Sequence, residues 1–132
     1  INYLIGVIMQ INEMSPAALA YLGDSVLELM TRTMLVKSGV ADAGKLNKLA
    51  LDYVKATAQC DAFDKMSEHL TDDEMYWFKR GRNHSTSSAP KSASTGQYRK
   101  ATGLEVLFAY LYLEGKRERM EELFEIGFKK YE

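Results

Sequence analysis

The sequence predicts a single all-α domain, and three observations support that fold class. Apolar residues recur at helical spacing over most of the 132 residues, and no stretch alternates polar and apolar residues as a half-buried strand would. Both prolines stand at segment boundaries rather than inside a periodic run. The composition, 46% hydrophobic and 27% charged, is typical of a globular protein. We therefore expect residues 1–132 to form one helical bundle.

The first half of the chain predicts two or three helices after an apolar start. Ser15-Pro16 combines a capping side chain with a residue well tolerated in the first helical turn, which predicts a long helix over 16–37. Asp42 can cap a second helix, and residues 56–66 either continue it or follow after a bend. Residues 1–14 form an apolar N-terminal segment, too short to span a bilayer, which we expect to pack on the domain.

The second half predicts three further helices and one exposed loop. Thr71-Asp-Asp-Glu74 has the form of a capping box, which predicts a helix over residues 72–80. Residues 81–97 contain no large aliphatic or aromatic side chain, so they cannot contribute to a core and are predicted to form an exposed basic loop. Helical periodicity returns over residues 98–114, and an amphipathic pattern over residues 120–128 predicts the last helix.

Charge is distributed unevenly along the chain. Six of the 17 basic residues lie between Lys79 and Lys100, in a stretch without Asp or Glu, so the remaining chain is acidic. A polyanion is the expected partner of this basic stretch, whereas the acidic remainder argues against a protein that coats nucleic acid generally. The lone Cys60 excludes an internal disulfide framework. Neither His69 nor His84 has partners at the spacing of a zinc site.

Two acidic residues stand alone in apolar helical segments. Asp24 is the only charged residue in 16–27, and Glu105 is the only one in 101–113. We expect both segments to be largely buried, where an ionised carboxylate requires compensation. Each acid can pair with a base or cap a helix, or the two can converge to bind a divalent cation such as Mg²⁺. Glu28 shares the helical face of Asp24 and can hydrogen-bond a metal-bound water.

These motifs together resemble the ribonuclease III family. The segment containing Leu22-Gly-Asp24 is similar to the first motif of the family. Residues 104–114 are similar to the second motif, which carries a catalytic Glu. Between the two motifs, residues 79–83, Pro90-Lys91 and Tyr98-Arg99 match the Mini-III subgroup closely.

The resemblance implies a ribonuclease III catalytic-domain-like helical bundle that cuts double-stranded RNA as a homodimer. It assigns catalysis and Mg²⁺ binding, with Mn²⁺ as a substitute, to Asp24 and Glu105. Glu28 and Thr102 are expected to support these acids. The residues expected to contact RNA are Lys79, Arg80, Arg82, Asn83, Lys91, Arg99 and Lys100.

The subgroup role implied by the resemblance is maturation of the ends of the large-subunit (23S) ribosomal RNA precursor in the bacterial cytoplasm. A ribosomal protein is a conceivable accessory partner, and no membrane is involved. The resemblance also implies that a separate double-stranded-RNA-binding domain is absent. Thr102 and Ala20 stand where the wider family has acidic residues, so we expect no tightly held second metal in the free protein.

Two other functions are also compatible with the sequence. A non-catalytic RNA-binding or assembly module can use the same helical scaffold, and so can a protein-interaction domain whose two acids are simply ion-paired. The retention of both Asp24 and Glu105 favours catalysis. For the homodimer, we predict that Ala17, Ala20 and Leu22 form a strip on the first long helix that packs against a second copy.

Overall fold

Six α-helices and no strand make up the part of the chain that the structure, a computed structural model, describes: residues 8–84 and 94–129. Short 3-10 turns lie at Ile11–Glu13 and Ser67–His69. The all-α prediction is confirmed. The helices are α1 (Pro16–Lys37), α2 (Ala43–Val54), α3 (Ala56–Met66), α4 (Asp72–His84), α5 (Thr95–Leu113) and α6 (Arg117–Phe128).

The first helices begin where their capping residues predict. The Ser15 hydroxyl accepts a hydrogen bond from the backbone N–H of Ala18 (3.0 Å), and the Asp42 carboxylate accepts one from the N–H of Lys45 (2.8 Å). Each bond satisfies a donor that the first helical turn leaves without an intrahelical partner. The chain bends at Lys55, so α3 follows α2 as a separate helix rather than continuing it.

The structure corrects the predicted loop over 81–97 at both ends. Helix α4 continues to His84, because Gly81 packs closely against α5 and is buried there. Helix α5 begins at Thr95, because Ser94 and Gln97 form a reciprocal capping box. Residues 85–93, which include the predicted RNA contact Lys91, lie outside the described residues.

Helix α5 is the centre of the fold and packs against α1, α3, α4 and α6. Most of its residues after the first turns are buried, and Leu104, Leu107 and Phe108 have no solvent exposure. Burial of each such side chain contributes about 1.5–3 kcal/mol of hydrophobic free energy. Glu105 lies in the middle of this buried run and is only half-buried, so one carboxyl group interrupts the core helix at a surface.

The N-terminal apolar segment contributes to the core through two of its described residues. Ile11 and Met14 pack against the hydrophobic core, whereas Ile8 and Met9 are exposed, and residues 1–7 lie outside the described part. Within the described residues, none of the helices combines the length and the apolar character that crossing a bilayer requires.

Candidate active site

The candidate site is built at the crossing of α1 and α5. Gly23 is buried where the two helices touch, and a Cβ atom added to it would lie 1.7 Å from the backbone carbonyl oxygen of Glu105. No other residue type fits a backbone approach this close. The contact brings the next residue on α1, Asp24, beside Glu105 on α5. Gly23 therefore permits the close approach of α1 and α5, and this approach places the carboxyl group of Asp24 beside that of Glu105.

Asp24 and Glu105 form an interacting pair of carboxyl groups with unequal exposure. Glu105 is half-buried and Asp24 is exposed. Burial, the negative charge of Asp24 and a hydrogen bond between the two side chains raise the pKa of Glu105 to about 9. Two carboxylates this close cannot both ionise freely in a partly buried site, so at neutral pH the pair retains one proton. A divalent cation can take the place of that proton and neutralise both groups.

The exposure of Asp24 corrects the sequence prediction, which expected both lone acids to be largely buried. Asp24 lies on the rim of the α1–α5 crossing, while its neighbours Gly23, Val26 and Leu27 are buried beneath it. Because only one face of α1 packs on the core, a residue in an apolar sequence segment can still face solvent. For a metal ligand this position is an advantage, since a substrate can reach it.

The two predicted supporting residues are near the acids but bond elsewhere. Glu28 forms an ion pair with Arg32 on the next turn of α1. The Thr102 hydroxyl donates a hydrogen bond to the backbone carbonyl of Tyr98, one turn earlier on α5 (3.0 Å). In the described contacts, Glu28 and Thr102 therefore bond to residues of their own helices, α1 and α5, next to the acid pair.

A second cluster of potential metal ligands, which the sequence analysis missed, lies on α3. Ligand atoms of Cys60, Asp61 and Asp64 lie within 4.8 Å of one another. Lys100 donates a hydrogen bond to Asp64 (2.8 Å), which already neutralises that carboxylate. Burial raises the pKa of the Cys60 thiol, which disfavours the thiolate that a metal requires. The sequence signal that could have revealed this cluster is the spacing of one Cys and two Asp residues within about one helical turn.

The predicted RNA-contacting residues divide between α4 and the start of α5, with Lys91 outside the described part. Lys79, Asn83 and Arg99 are exposed. Arg82 is half-buried, and its Nε donates a hydrogen bond to the Asn83 side chain (2.9 Å). Lys100 is held by Asp64. Basic donors therefore lie on both α4 and the beginning of α5, and these residues are called the basic surface below.

Arg80 differs from the other basic residues because it is partly built into the fold. Its guanidinium lies over the Trp77 ring, 4.9 Å from the ring centroid, and its Nη2 points to the backbone carbonyl of Met14 at 3.5 Å. Its Nη1 atom is buried without a hydrogen-bond partner among the described residues. Arg80 therefore presents a fixed positive charge rather than a mobile one.

Comparison with known proteins agrees with this geometry. The Ribonuclease III domain family matches residues 17–116, a range that contains both Asp24 and Glu105. The chain therefore belongs to the ribonuclease III family, and it is an endoribonuclease of that family.

The relatives that match most of the chain indicate a subgroup within this family. The Mini-ribonuclease 3 of Clostridium tetani is 38% identical over 92% of this chain and 82% of its own length. That of Symbiobacterium thermophilum is 42% identical over 82% of this chain and 83% of its own. A crystal structure of a Fusobacterium nucleatum protein has the same fold, with a TM-score of 0.79, 30% identity and coverage of 87% of this chain and 93% of that one.

Proposed function

We propose that this endoribonuclease cuts double-stranded RNA with Mg²⁺ held by Asp24 and Glu105, and that it matures the ends of the 23S ribosomal RNA precursor. The observation that carries the proposal is the contact of these two carboxyl groups across the Gly23 crossing. The precursor is the substrate implied by the likeness to Mini-ribonuclease 3 proteins, and the bacterial cytoplasm is the compartment in which it occurs. A ribosomal protein can assist its delivery.

The donor set suits a hard divalent cation. Both ligands are carboxylate oxygens, and Mg²⁺ is commonly bound by one or two carboxylates together with water and substrate phosphate oxygens. Mn²⁺ accepts the same oxygen ligands and is expected to substitute. When bound, the cation supplies Lewis-acid activation of the scissile phosphodiester and of the attacking water. With two acids, and with Thr102 and Ala20 instead of further acids, a tightly held second metal is not expected in the free protein.

The contribution of the protein to catalysis is to position charges. The Gly23 contact positions Asp24 beside Glu105, and a divalent cation held by the two carboxylates would take the place of the Glu105 proton. Exposed basic residues on α4 and α5, such as Lys79 and Arg99, hold the RNA backbone through its phosphates. Because RNA duplexes are recognised mainly by shape, phosphates and 2′-hydroxyls, strict sequence recognition is not required.

We further propose that the protein is a homodimer, and the surface next to Asp24 supports this proposal. Tyr21, Leu29 and Val36 on α1 are exposed by 83%, 65% and 60%, and they lie on the solvent side of the helix. Leu22 and Ala20, which the sequence analysis placed in the dimer strip, pack instead against the core of the same chain. The dimer proposed here therefore uses the outward face of α1. A two-fold axis would place one acid pair on each strand of an RNA duplex.

The test is cleavage of long double-stranded RNA with Mg²⁺ and then with EDTA. We expect cleavage by the wild type with Mg²⁺ only, and none by Asp24→Asn or Glu105→Gln. The matched control is Asp61→Asn with Asp64→Asn, which removes the acids of the second cluster and should leave cleavage unchanged. Loss of cleavage in the control alone would move the metal site to α3. Binding without cleavage by the wild type would instead support a non-catalytic RNA-binding module.

A further inference from the structure

An open groove of about 530 Å³ lies between α4 and the start of α1, apart from the acid pair. Its lining consists of Pro16, Tyr76, Lys79, Arg80, Asn83 and His84. The volume lies within the range of small-molecule binding sites. Three of these residues, Pro16, Tyr76 and His84, have no role in the site described above.

One side of the groove is formed by the exposed aromatic ring of Tyr76, which contacts a buried ring. Tyr76 is 56% exposed, and its ring stands perpendicular to that of Trp77, with centroids 5.3 Å apart. Trp77 is itself buried and stacked on Tyr110 at 5.2 Å. Tyr76 therefore presents an exposed aromatic ring that contacts a buried ring. Such a ring can stack an unpaired nucleic-acid base.

The charge of the groove is positive. Lys79 and Arg80 lie in the lining, and none of the described lining residues is acidic. Arg80 has no carboxylate partner in the described part of the chain, and the Trp77 ring and the Met14 carbonyl fix its guanidinium. A partly buried cation without a counter-charge favours an anion nearby. The groove therefore joins a stacking surface to a site for phosphate.

We propose that this groove binds an unpaired nucleotide of an RNA that is bound at the acid pair. Tyr76 stacks on the base, while Lys79 and Arg80 contact the adjacent phosphates. The proposal rests on the proposed function, and it extends the substrate class from a plain duplex to a duplex with a single-stranded extension. An acidic peptide would satisfy the charges but would leave the exposed ring without a stacking partner.

The groove and the acid pair are close enough to share one RNA. Pro16 and Asp24 are on the same helix, about 12 Å apart at the helical rise per residue. That distance corresponds to about four nucleotides of a stacked strand. A duplex cut near its end therefore brings a single-stranded extension within reach of Tyr76.

The experiment measures binding in EDTA, where no cleavage occurs, by fluorescence anisotropy. The probes are a blunt RNA duplex and the same duplex with a short adenosine extension at the 3′ or the 5′ end. We expect the wild type to bind one extended duplex about five-fold more tightly than the blunt one, or better. Tyr76→Ala should lose this gain and still bind the blunt duplex normally. Tyr76→Phe should keep the gain, and so should the matched control Tyr112→Ala, which removes an exposed tyrosine outside the groove.

A 2-aminopurine placed in the extension provides a second readout. Its fluorescence should be quenched on binding to the wild type and to Tyr76→Phe, but not on binding to Tyr76→Ala. Equal affinity of the wild type for blunt and extended duplexes would overturn the proposal. So would displacement of the extended RNA by polyglutamate as effectively as by single-stranded RNA of equal charge. Failure of the proposed function would be visible separately, as absence of Mg²⁺-dependent cleavage of the blunt duplex.

Discussion

At the scale of single residues, the acid pair combines one exposed carboxyl group with one that the fold keeps partly out of water. Asp24 is exposed, and half-buried Glu105 has a pKa raised to about 9 by burial, by the Asp24 charge and by their hydrogen bond. In the absence of a cation, Glu105 holds its proton across the neutral range. A cation that binds both carboxylates would have to displace this proton, so its apparent affinity should rise with pH up to about 9.

The first prediction concerns the pH dependence of stability in EDTA. Because the folded state holds the Glu105 proton more tightly than the unfolded state, the contribution of Glu105 to the free energy of unfolding is fully present below about pH 4.5 and is lost as the pH rises towards about 9. Glu105→Gln removes this dependence and should be more stable than the wild type by about 1–3 kcal/mol at neutral pH. Urea denaturation at several pH values measures the difference. Parallel pH curves for the two proteins would contradict the raised pKa.

At the scale of helices, glycine contacts set the geometry of the site. Gly23 joins α1 to α5, while Gly81 on α4 lies against Gly103 and the Thr102 backbone on α5. Added Cβ atoms would lie 1.7 Å from the nearest atom at Gly23 and 2.7 Å at Gly81. The three helices that carry the acids and the basic surface are therefore held together by backbone contact.

The second prediction tests the Gly23 crossing. Gly23→Ala forces α1 away from the Glu105 backbone, which should cost about 2 kcal/mol of stability or more and should separate the two acids. Cleavage should then fall more than unfolding alone explains. The control is Gly96→Ala in the first turn of α5, where the nearest atom is 4.0 Å away and the substitution should be neutral or slightly stabilising. Thermal denaturation and cleavage rates measure both effects.

The third prediction concerns the basic surface of α4 and α5. Replacing Lys79, Arg82 and Arg99 by Gln should weaken duplex binding and reduce the slope of log K against log salt by about one unit for each lost phosphate contact. Arg80 is left intact because it contacts the Met14 carbonyl and Trp77. A double Gln substitution of exposed Lys45 and Lys48 on α2 is the charge control. If the two sets of variants have the same salt slope, RNA binds on another surface.

At the scale of the whole molecule, one largely buried ion pair joins the start of α6 to the start of α4. Arg119 on α6 donates to both carboxylate oxygens of Glu74 at the start of α4, each at 2.8 Å, and to the carbonyl of His69. Burial by itself raises the pKa of Glu74, but the hydrogen bonds from Arg119 and Thr71 outweigh it and the pKa is lowered. The ionised form of Glu74 is thus part of the folded structure.

The fourth prediction is that Arg119→Ala destabilises the fold by about 3–5 kcal/mol, because it leaves a buried carboxylate without its partner. Since the pKa of Glu74 is lowered, the stabilisation is present above about pH 4.5 and is lost as the pH falls further. Arg117→Ala is the matched control. Its ion pair with Glu121 is 3.8 Å long and exposed, so the change should be within about 0.5 kcal/mol. Equal effects of both substitutions on urea midpoints would exclude the proposed role of Arg119.

The fifth prediction concerns the assembly. If the exposed face of α1 pairs with a second copy, Leu29→Lys should give a monomer or an aggregate, because a two-fold contact repeats the substitution on both sides. Leu113→Lys places the same charge at the end of α5 and should leave the assembly unchanged. Light scattering distinguishes these outcomes. A fully active wild-type species at the monomer mass of 14.9 kDa would exclude the dimer.

Local sequence signals predicted most of the helices, and they singled out the two acids proposed for the site. Ser15 and Asp42 cap the helices they were predicted to cap, and the apolar period over 16–37 matches α1. These signals arise from residues close together in the sequence, so they can be recognised without knowledge of the fold. The lone acids Asp24 and Glu105 also stood out in the sequence, because a charge in an apolar segment is unusual wherever the segment packs.

The remaining features depend on contacts between residues distant in the chain. The sequence predicts that Gly81 is a loop residue. In the structure it is helical and buried, because it packs against Gly103 on α5. The sequence places Lys100 in a basic stretch without acids. In the structure Lys100 forms an ion pair with Asp64 on α3. The exposure of Asp24 and the raised pKa of Glu105 likewise arise only when α1 and α5 cross. Burial and charge pairing are properties of the folded surface, whereas a sequence pattern specifies only which residues are available to form it.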